Sequence, residues 1–256
     1  MKTLQPYNSI AIILLIAYLC IGFIPNWEAV DKIAPQWLGM NILNVITIIF
    51  IFYQKKFYLK SIDQKFRSTI TLIYGGFILW AGFSYFYALN PTEVIINISR
   101  QFGVFIMYLS MGILIYPLKN KPQYFSWIIT AILTIEMYAV ITEAMQMLAV
   151  NGRISAGALK GVTANRNITA FSLAIKIPFV YYLIYHVKKG VFKLFLSTLL
   201  FGVFSGLLMI QSRASFLATG FGVFSFFILN AVLYITSEKK NKNKNFANIM
   251  FVIIPL

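Results

Sequence analysis

The chain has 256 residues, of which 59% are hydrophobic and only 11% are charged, and its mean hydropathy is +0.77. Soluble domains carry about 25% charged residues, so this composition excludes a soluble globular enzyme, a disordered protein and a disulfide scaffold. A net charge of +15 would indicate a nucleic-acid partner in a soluble protein. Here the basic residues cluster in short segments between apolar runs, a pattern that indicates membrane topology and no nucleic-acid partner.

The apolar runs are about 17–22 residues long, which is enough for a helix to cross a hydrocarbon core of about 30 Å. They lack the alternation of apolar and polar residues that membrane β-barrels show. We therefore predict an all-α, polytopic transmembrane helical bundle with about eight complete spans, forming one integral-membrane domain over residues 1–256. The predicted spans are 7–24, 37–53, 70–89, 94–118, 124–150, 168–187, 191–210 and 214–235. A partial ninth run begins near Phe246, so the chain is expected to stop inside a span at Leu256.

The basic residues predict how these spans are oriented. Alternate segments, beginning with the N-terminus, contain 15 of the 22 Lys and Arg residues, and the opposite set contains 7. Because positively charged loops stay in the cytoplasm, the N-terminus and the richer segments are predicted to be cytoplasmic. Four of the five arginines depart from this trend and belong to the outer set: Arg100, Arg153, Arg166 and Arg213.

These outer arginines predict a site for an anionic ligand. A guanidinium presents a rigid fork that binds phosphate through two parallel hydrogen bonds, which lysine cannot reproduce. The alternative for any single arginine is a contact with lipid phosphates at the membrane interface. The segment 151–167 strengthens the ligand interpretation, because it contains three glycines, three basic residues and no acid. Its alternative is an ordinary flexible loop.

Asn167 is predicted to cap the sixth span, whose positive N-terminal end would then face the same outer side. Together with Asn165, Ser212 and Glu143 it forms the expected set of supporting polar groups. Glu143 and Glu136 are seven residues apart in the fifth span, and Lys176 lies in the sixth. Pairing of Lys176 with one of these glutamates would lower the cost of burying both, and the alternative is a catalytic or proton-relay role.

Three segments resemble the O-antigen ligase and polymerase superfamily of bacterial polysaccharide assembly. Residues 80–100 are similar to the family's Trp/Ser-rich helix end followed by an Asn-Pro turn. Residues 152–170 resemble its segment of arginine, glycine and paired asparagines, and residues 207–218 resemble its Ser-Arg turn. The likeness covers nearly the whole chain, and residues 151–256 resemble the family's core ligase and polymerase region. The family usually has proline between the two asparagines, where this sequence has Arg166.

The resemblance implies a glycosyltransferase of the bacterial cytoplasmic membrane, with its active site facing the periplasm. The donor would be an undecaprenyl-diphosphate-linked glycan, and the acceptor lipid A core for a ligase or another lipid-linked glycan for a polymerase. Neither a metal nor a cofactor is implied. Arg213 would be the principal diphosphate ligand, followed by Arg153, Arg166 and Arg100. The general base would be a histidine beyond Leu256, so the chain alone is expected to be inactive.

Two functions of other classes stay open at the level of the sequence. A transporter of lipid-linked glycans would also bury glutamates and a lysine, but it is expected to show internal repeats, which we do not find. A purely structural membrane subunit would leave the outer arginines unexplained.

Overall fold

The computed structural model describes residues 6–25, 33–118, 121–155, 158–163 and 165–214, together with 27, 29, 31, 216, 217, 219–224 and 228. Every regular element in this described part is helical. The α-helices are α1 (Pro6–Leu19), α2 (Ala34–Tyr53), α3 (Lys55–Phe66), α4 (Thr69–Phe83), α5 (Pro91–Ile115), α6 (Lys121–Asn151), α7 (Arg166–His186) and α8 (Gly190–Ile210). The sequence predicts one domain, and the chain divides into two compact units, Met1–Lys121 and Pro122–Leu256.

Six helices have the length and apolar composition to cross a membrane: α2, α4 with its following 3₁₀ turn, α5, α6, α7 and α8. They coincide with the second to seventh predicted spans. The first predicted span forms α1, whose apolar part Ser9–Leu19 is shorter than a spanning helix. The predicted eighth span is described only in part, where its residues are helical, and the predicted ninth lies outside the described residues. The described part of the chain is thus all-helical, with six helices that have the length and composition of membrane spans.

The first unit is organised around α5, which contacts each of α1 to α4. A buried polar link holds three of these helices together. The Tyr18 hydroxyl donates to the side-chain oxygen of Asn44 at 2.9 Å, and the Asn44 amide donates to the carbonyl oxygen of Gly103 at 2.9 Å. Because buried amides are costly to leave unpaired, this link defines how α1, α2 and α5 pack against one another.

Helix α3 occupies a segment that its lysines predict to be a cytoplasmic loop. Its residues Tyr58 and Ser61 are buried against the unit, and its lysines are mostly exposed. Burial raises the pKa of Tyr58 to about 12, so this residue stays neutral at physiological pH. The helix is amphipathic with a mostly polar outer surface, and the hydropathy pattern of a spanning helix does not detect it.

The second unit packs α6, α7 and α8 around one apolar core, in which Leu133, Leu173, Leu183, Leu200 and Val203 are fully buried or nearly so. The Met137 side chain of α6 reaches a pair of glycines on α8. A Cβ atom added at Gly206 would lie 2.8 Å from the terminal methyl of Met137, and one at Gly202 would lie 3.5 Å from the Cγ of the same side chain. These glycines therefore accommodate Met137 between the two helices.

Candidate anion-binding site

The contacts of the second unit bring the C-terminal end of α6, the N-terminal end of α7 and the C-terminal end of α8 to the same end of the unit. Helices α7 and α8 are joined by the short connection 187–189 and pack along their length, so they are antiparallel. Glu143 of α6 contacts the segment just before α7, and Glu136 contacts α7 further in. Arg153, Arg166 and Arg213 follow or begin these three ends, so the fold places all three at this end.

The segment between α6 and α7 is held by an internal carboxylate. Glu143 accepts backbone hydrogen bonds from Lys160 at 3.0 Å and from Gly161 at 2.7 Å. The hydroxyl of the buried Thr169 donates to the carbonyl oxygen of Lys160. Leu159 is fully buried beside them. Residues 159–161 are therefore pinned against α6 and α7, and the flexible-loop alternative does not describe this part of the segment.

Glycine at position 161 is required by both conformation and space. Its φ is +56°, in the left-handed region that residues with a Cβ rarely adopt. A Cβ atom there would lie 2.8 Å from the Cγ2 of Thr169 and 3.2 Å from a methyl of Val140. The glycine thus lets the backbone N–H reach an anion, which is the Glu143 carboxylate of the chain itself and not the external ligand that the sequence predicts.

The cap of α7 is Asn165, and the predicted cap Asn167 is wrong. Asn165 has an extended backbone, and its side-chain oxygen accepts from the backbone N–H groups of Asn167 at 3.0 Å and Ile168 at 3.4 Å. Arg166 is the first helical residue, so Asn167 lies within the first turn. Asparagine is a favoured N-cap residue, so either Asn165 or Asn167 could cap the helix by residue type. Asn165 is the cap because its backbone is extended, as an N-cap residue requires.

Arg213 follows a left-handed residue that ends α8. Gln211 has a φ of +54°, and its N–H donates to the carbonyl oxygen of Leu207 at 3.1 Å. Ser212 is buried, and its carbonyl oxygen accepts from the N–H of Phe216 at 3.0 Å, which starts the next helical turn. Arg213 itself is exposed in the first turn of that helix. The polar turn thus presents the guanidinium outward.

The charges at this end of the second unit are unbalanced. Arg153, Arg166 and Arg213 are exposed, and none of them pairs with a carboxylate within the described part of the chain. The two described glutamates of this unit are both occupied, Glu143 by backbone N–H groups and Glu136 by Lys176. The end therefore carries uncompensated positive charge on groups suited to phosphate.

Arg100 belongs to the first unit and has partners there. Its guanidinium lies 2.5 Å from a carboxylate oxygen of Asp31, and it stands over the ring of Trp37 at 5.7 Å from the centroid. A guanidinium that is already paired with a carboxylate attracts an anionic ligand more weakly than an unpaired one. The structure thus distinguishes Arg100 from the three unpaired arginines.

Lys176 pairs with Glu136, which is the structural option that the sequence analysis left open. The ammonium lies 2.8 and 2.7 Å from the two carboxylate oxygens, and the Ser172 hydroxyl donates to one of them at 2.9 Å. The Lys176 and Glu136 side chains are only 16% and 11% exposed. Both charges are satisfied internally, an arrangement typical of a buried pair that holds two helices together.

The first unit contains an open groove of about 430 Å³ where α4 meets α5. Glu93, Asn97 and Gln101 line one wall at four-residue intervals along α5, and their side chains have no hydrogen-bond partner among the described residues. Phe77 and Ala81 lie among the apolar residues of the opposite wall. The groove combines amide and carboxylate groups with apolar surface, and none of its lining residues in the described part of the chain is cationic.

No family model, curated protein or solved structure matches this chain. Among the described residues, no three His, Cys, Asp or Glu side chains come together as metal ligands. The groups that this site offers to an external anion are the three arginine side chains at the helix ends, because the backbone N–H groups of Gly161 and Asn167 already have acceptors within the chain.

Proposed function

We propose that this chain is a membrane glycosyltransferase of the O-antigen ligase type. It would take a glycan from an undecaprenyl-diphosphate donor at the periplasmic face of a bacterial cytoplasmic membrane. The glycan would pass to lipid A core or to another surface-polysaccharide acceptor. A polymerase of the same superfamily, with a second lipid-linked glycan as acceptor, is the alternative within the class.

One observation carries the proposal, namely the set of exposed arginines without carboxylate partners at one end of the second unit. Arg153, Arg166 and Arg213 are located there, and the glutamates of the same unit are engaged elsewhere. A diphosphate ester carries two adjacent charged phosphates, so it needs several positive groups arranged close together. Arginine forks supply charge and geometry without a metal ion.

The helix start at Asn165 favours the same ligand. The N-terminal end of a helix carries a partial positive charge, and α7 adds the Arg166 guanidinium at its first position. The backbone N–H groups of Asn167 and Ile168 are already bonded to the cap. Attraction at this end would therefore come from side-chain forks and the helix dipole.

The chemistry required is a displacement at the anomeric carbon of the donor sugar. The acceptor hydroxyl oxygen forms a bond to that carbon, and the bond between the carbon and the diphosphate oxygen breaks. The electron pair leaves with undecaprenyl diphosphate, whose growing negative charge the arginines would stabilise. The proton of the acceptor hydroxyl passes to a general base, which the family resemblance assigns to a histidine of a further outer loop.

The groove of the first unit supports a carbohydrate substrate. Glu93, Asn97 and Gln101 offer hydrogen-bond donors and acceptors in a row, and these groups can pair with the hydroxyl groups of a sugar. Its volume of about 430 Å³ lies within the range of small-molecule sites, which is about 300–1,000 Å³. The absence of cationic side chains among its lining residues favours a neutral or amino sugar over a phosphate.

Binding of the leaving group tests the proposal without requiring turnover. The purified chain, in lipid nanodiscs, is titrated with undecaprenyl diphosphate, undecaprenyl phosphate and undecaprenol. We expect the diphosphate to bind most tightly, and Arg213→Ala and Arg166→Ala each to weaken it at least tenfold. Arg67→Ala is the matched control, because Arg67 is exposed but pairs with Asp63 at 2.8 Å. Equal binding of the three lipids would contradict the proposal.

A further inference from the structure

Helix α3 joins the ends of α2 and α4 and lies along α5. At 100° per residue its side chains divide into arcs. Tyr58, Ser61 and Lys65 form the arc that faces the unit, where the Lys65 ammonium stands 3.5 Å from the centroid of the Tyr108 ring. The neighbouring arc contains Ile62 and Phe66. This second arc is the one that borders an open surface of the unit.

A groove of about 280 Å³ runs beneath this second arc, between α2, α3 and α5. Its walls are apolar apart from one serine, and they include Ile48, Phe52, Ile62, Phe66, Ile106 and Ser110. Phe52 and Phe66 are 69% and 52% exposed at its edge. The groove is therefore continuous with the apolar surface that α2 presents at membrane depth.

Positive charge is concentrated at the start of α3, three residues after Phe52 of the groove wall. Lys55 aligns with Leu59, Ile62 and Phe66 along the helix, and Lys56 and Lys60 lie on the adjacent arc. All three lysines are exposed, and none pairs with a carboxylate within the described residues. The single acid of the helix, Asp63, is already engaged by Arg67 at 2.8 Å.

We propose that this surface is a binding site for an anionic phospholipid. One acyl chain lies in the groove between α2 and α5, and the phosphate contacts the lysines at the start of α3. A soluble anion would leave the groove empty, and a neutral lipid would leave the lysines without a partner. A basic amphipathic helix next to a spanning helix binds anionic lipids by the same combination of burial and charge.

Native mass spectrometry of the purified chain in a neutral detergent tests this site. Phosphatidylglycerol and phosphatidylcholine with the same acyl chains compete for retention on the protein. We expect phosphatidylglycerol to be retained preferentially. The double variant Lys55→Gln/Lys56→Gln should lower its affinity about 25-fold, since each lysine near an anionic headgroup contributes about a factor of five.

A charge-matched control separates this site from general basicity. Lys188→Gln/Lys189→Gln removes two adjacent exposed lysines from the second unit and should leave lipid retention unchanged. Glycerophosphoglycerol, the headgroup without acyl chains, should not compete. Equal retention of the two lipids, equal loss in both double variants, or competition by the bare headgroup would each overturn the proposal. The readout is lipid retention, so it is independent of the proposed glycan transfer.

Discussion

The Glu143 carboxylate accepts a 2.7 Å hydrogen bond from the backbone N–H of Gly161, eighteen residues further along the chain. A second bond, from the N–H of Lys160, reaches the same oxygen at 3.0 Å. Two adjacent backbone donors therefore bind an anion at this bend, and the chain supplies it. An external diphosphate would have to be bound by arginine side chains, while Glu143 holds the segment from which Arg153 and Arg166 extend.

Glu143→Gln should release this segment. A neutral amide accepts more weakly than a carboxylate and presents an N–H₂ group to the backbone donors, so we expect a loss of about 2 kcal/mol in the free energy of unfolding. Hydrogen exchange should show faster exchange at the amides of Lys160 and Gly161. Glu93→Gln is the control, because Glu93 is exposed and its carboxylate has no partner within the described residues. Unchanged exchange in Glu143→Gln would show that the carboxylate does not hold the segment.

Gly161→Ala tests the same bend from the backbone side. The left-handed conformation should lower the free energy of unfolding by about 1–2 kcal/mol for alanine. The contact at 2.8 Å with Thr169 should lower it by about 1–3 kcal/mol more. Gly152 has a φ of +65°, but an added methyl there would meet open space. Gly152→Ala should therefore cost only the conformational free energy of the left-handed backbone. Thermal unfolding in detergent compares the two variants. Equal destabilisation would mean that Thr169 moves aside without cost.

The long apolar helices of this fold are predictable from the sequence, and the short amphipathic helix α3 is not. Hydropathy located α2 and α4 to α8 within a few residues, because a spanning helix must be apolar over its full length. Helix α3 was missed because Tyr58 and Ser61 form a narrow buried face in a lysine-rich segment. The two acids of α6, Glu136 and Glu143, are seven residues apart, and the sequence does not indicate that one pairs with Lys176 and the other with backbone N–H groups.

For the candidate site, the sequence indicated which residue types matter but not their pairing. The count of basic residues predicts an excess of arginines in the segments predicted to be outside. The pairing of Arg100 with Asp31 was not predictable, because the two residues are 69 positions apart. The choice between Asn165 and Asn167 as the cap depends on backbone dihedral angles. Both the ion pair and the cap depend on the folded positions of the residues, which the sequence pattern does not contain.

The buried pair of Glu136 and Lys176 should behave as one unit. Glu136→Gln or Lys176→Met alone leaves a charge without its partner at membrane depth, so each should destabilise the fold by about 3 kcal/mol or more. The double variant Glu136→Gln/Lys176→Met should recover most of that loss. A double-mutant cycle on thermal unfolding measures the coupling. Additive effects would show that the two side chains act independently and would reopen a proton-relay role.

Orientation can be tested with a membrane-impermeant thiol reagent in cells whose outer membrane is permeabilised. Ser155→Cys, on the segment predicted to be outside, should be labelled. Ser61 lies on a segment predicted to be cytoplasmic, but it is only 2% exposed, so a cysteine there would react poorly in either orientation. Gln64→Cys, on the exposed face of α3, replaces it and should not be labelled. Cys20 is first changed to alanine so that the introduced cysteine alone reacts. Labelling at position 64 and not at position 155 would show that the arginines face the cytoplasm.

Arg213 is the arginine whose replacement should cost the most. It is exposed in the first turn after Gln211 and has no carboxylate partner among the described residues. A bidentate contact with phosphate depends on the planar fork, so Arg213→Lys should preserve charge and lose geometry. We expect a loss of about 2–4 kcal/mol of transition-state stabilisation, or roughly 30- to 1000-fold in glycan transfer, with membrane levels unchanged.

Arg67→Lys serves as the control in this assay, because its guanidinium is exposed and pairs with Asp63 in the first unit. It should transfer glycan at the wild-type rate. The substitutions are made in the gene at its own locus, and transfer is measured in membranes that carry the lipid-linked donor and the acceptor. If Arg213→Lys and Arg213→Ala both transfer at the wild-type rate, Arg213 is an interface anchor. The diphosphate would then have to be bound by Arg153 and Arg166, which is tested next by the same pair of substitutions at each position.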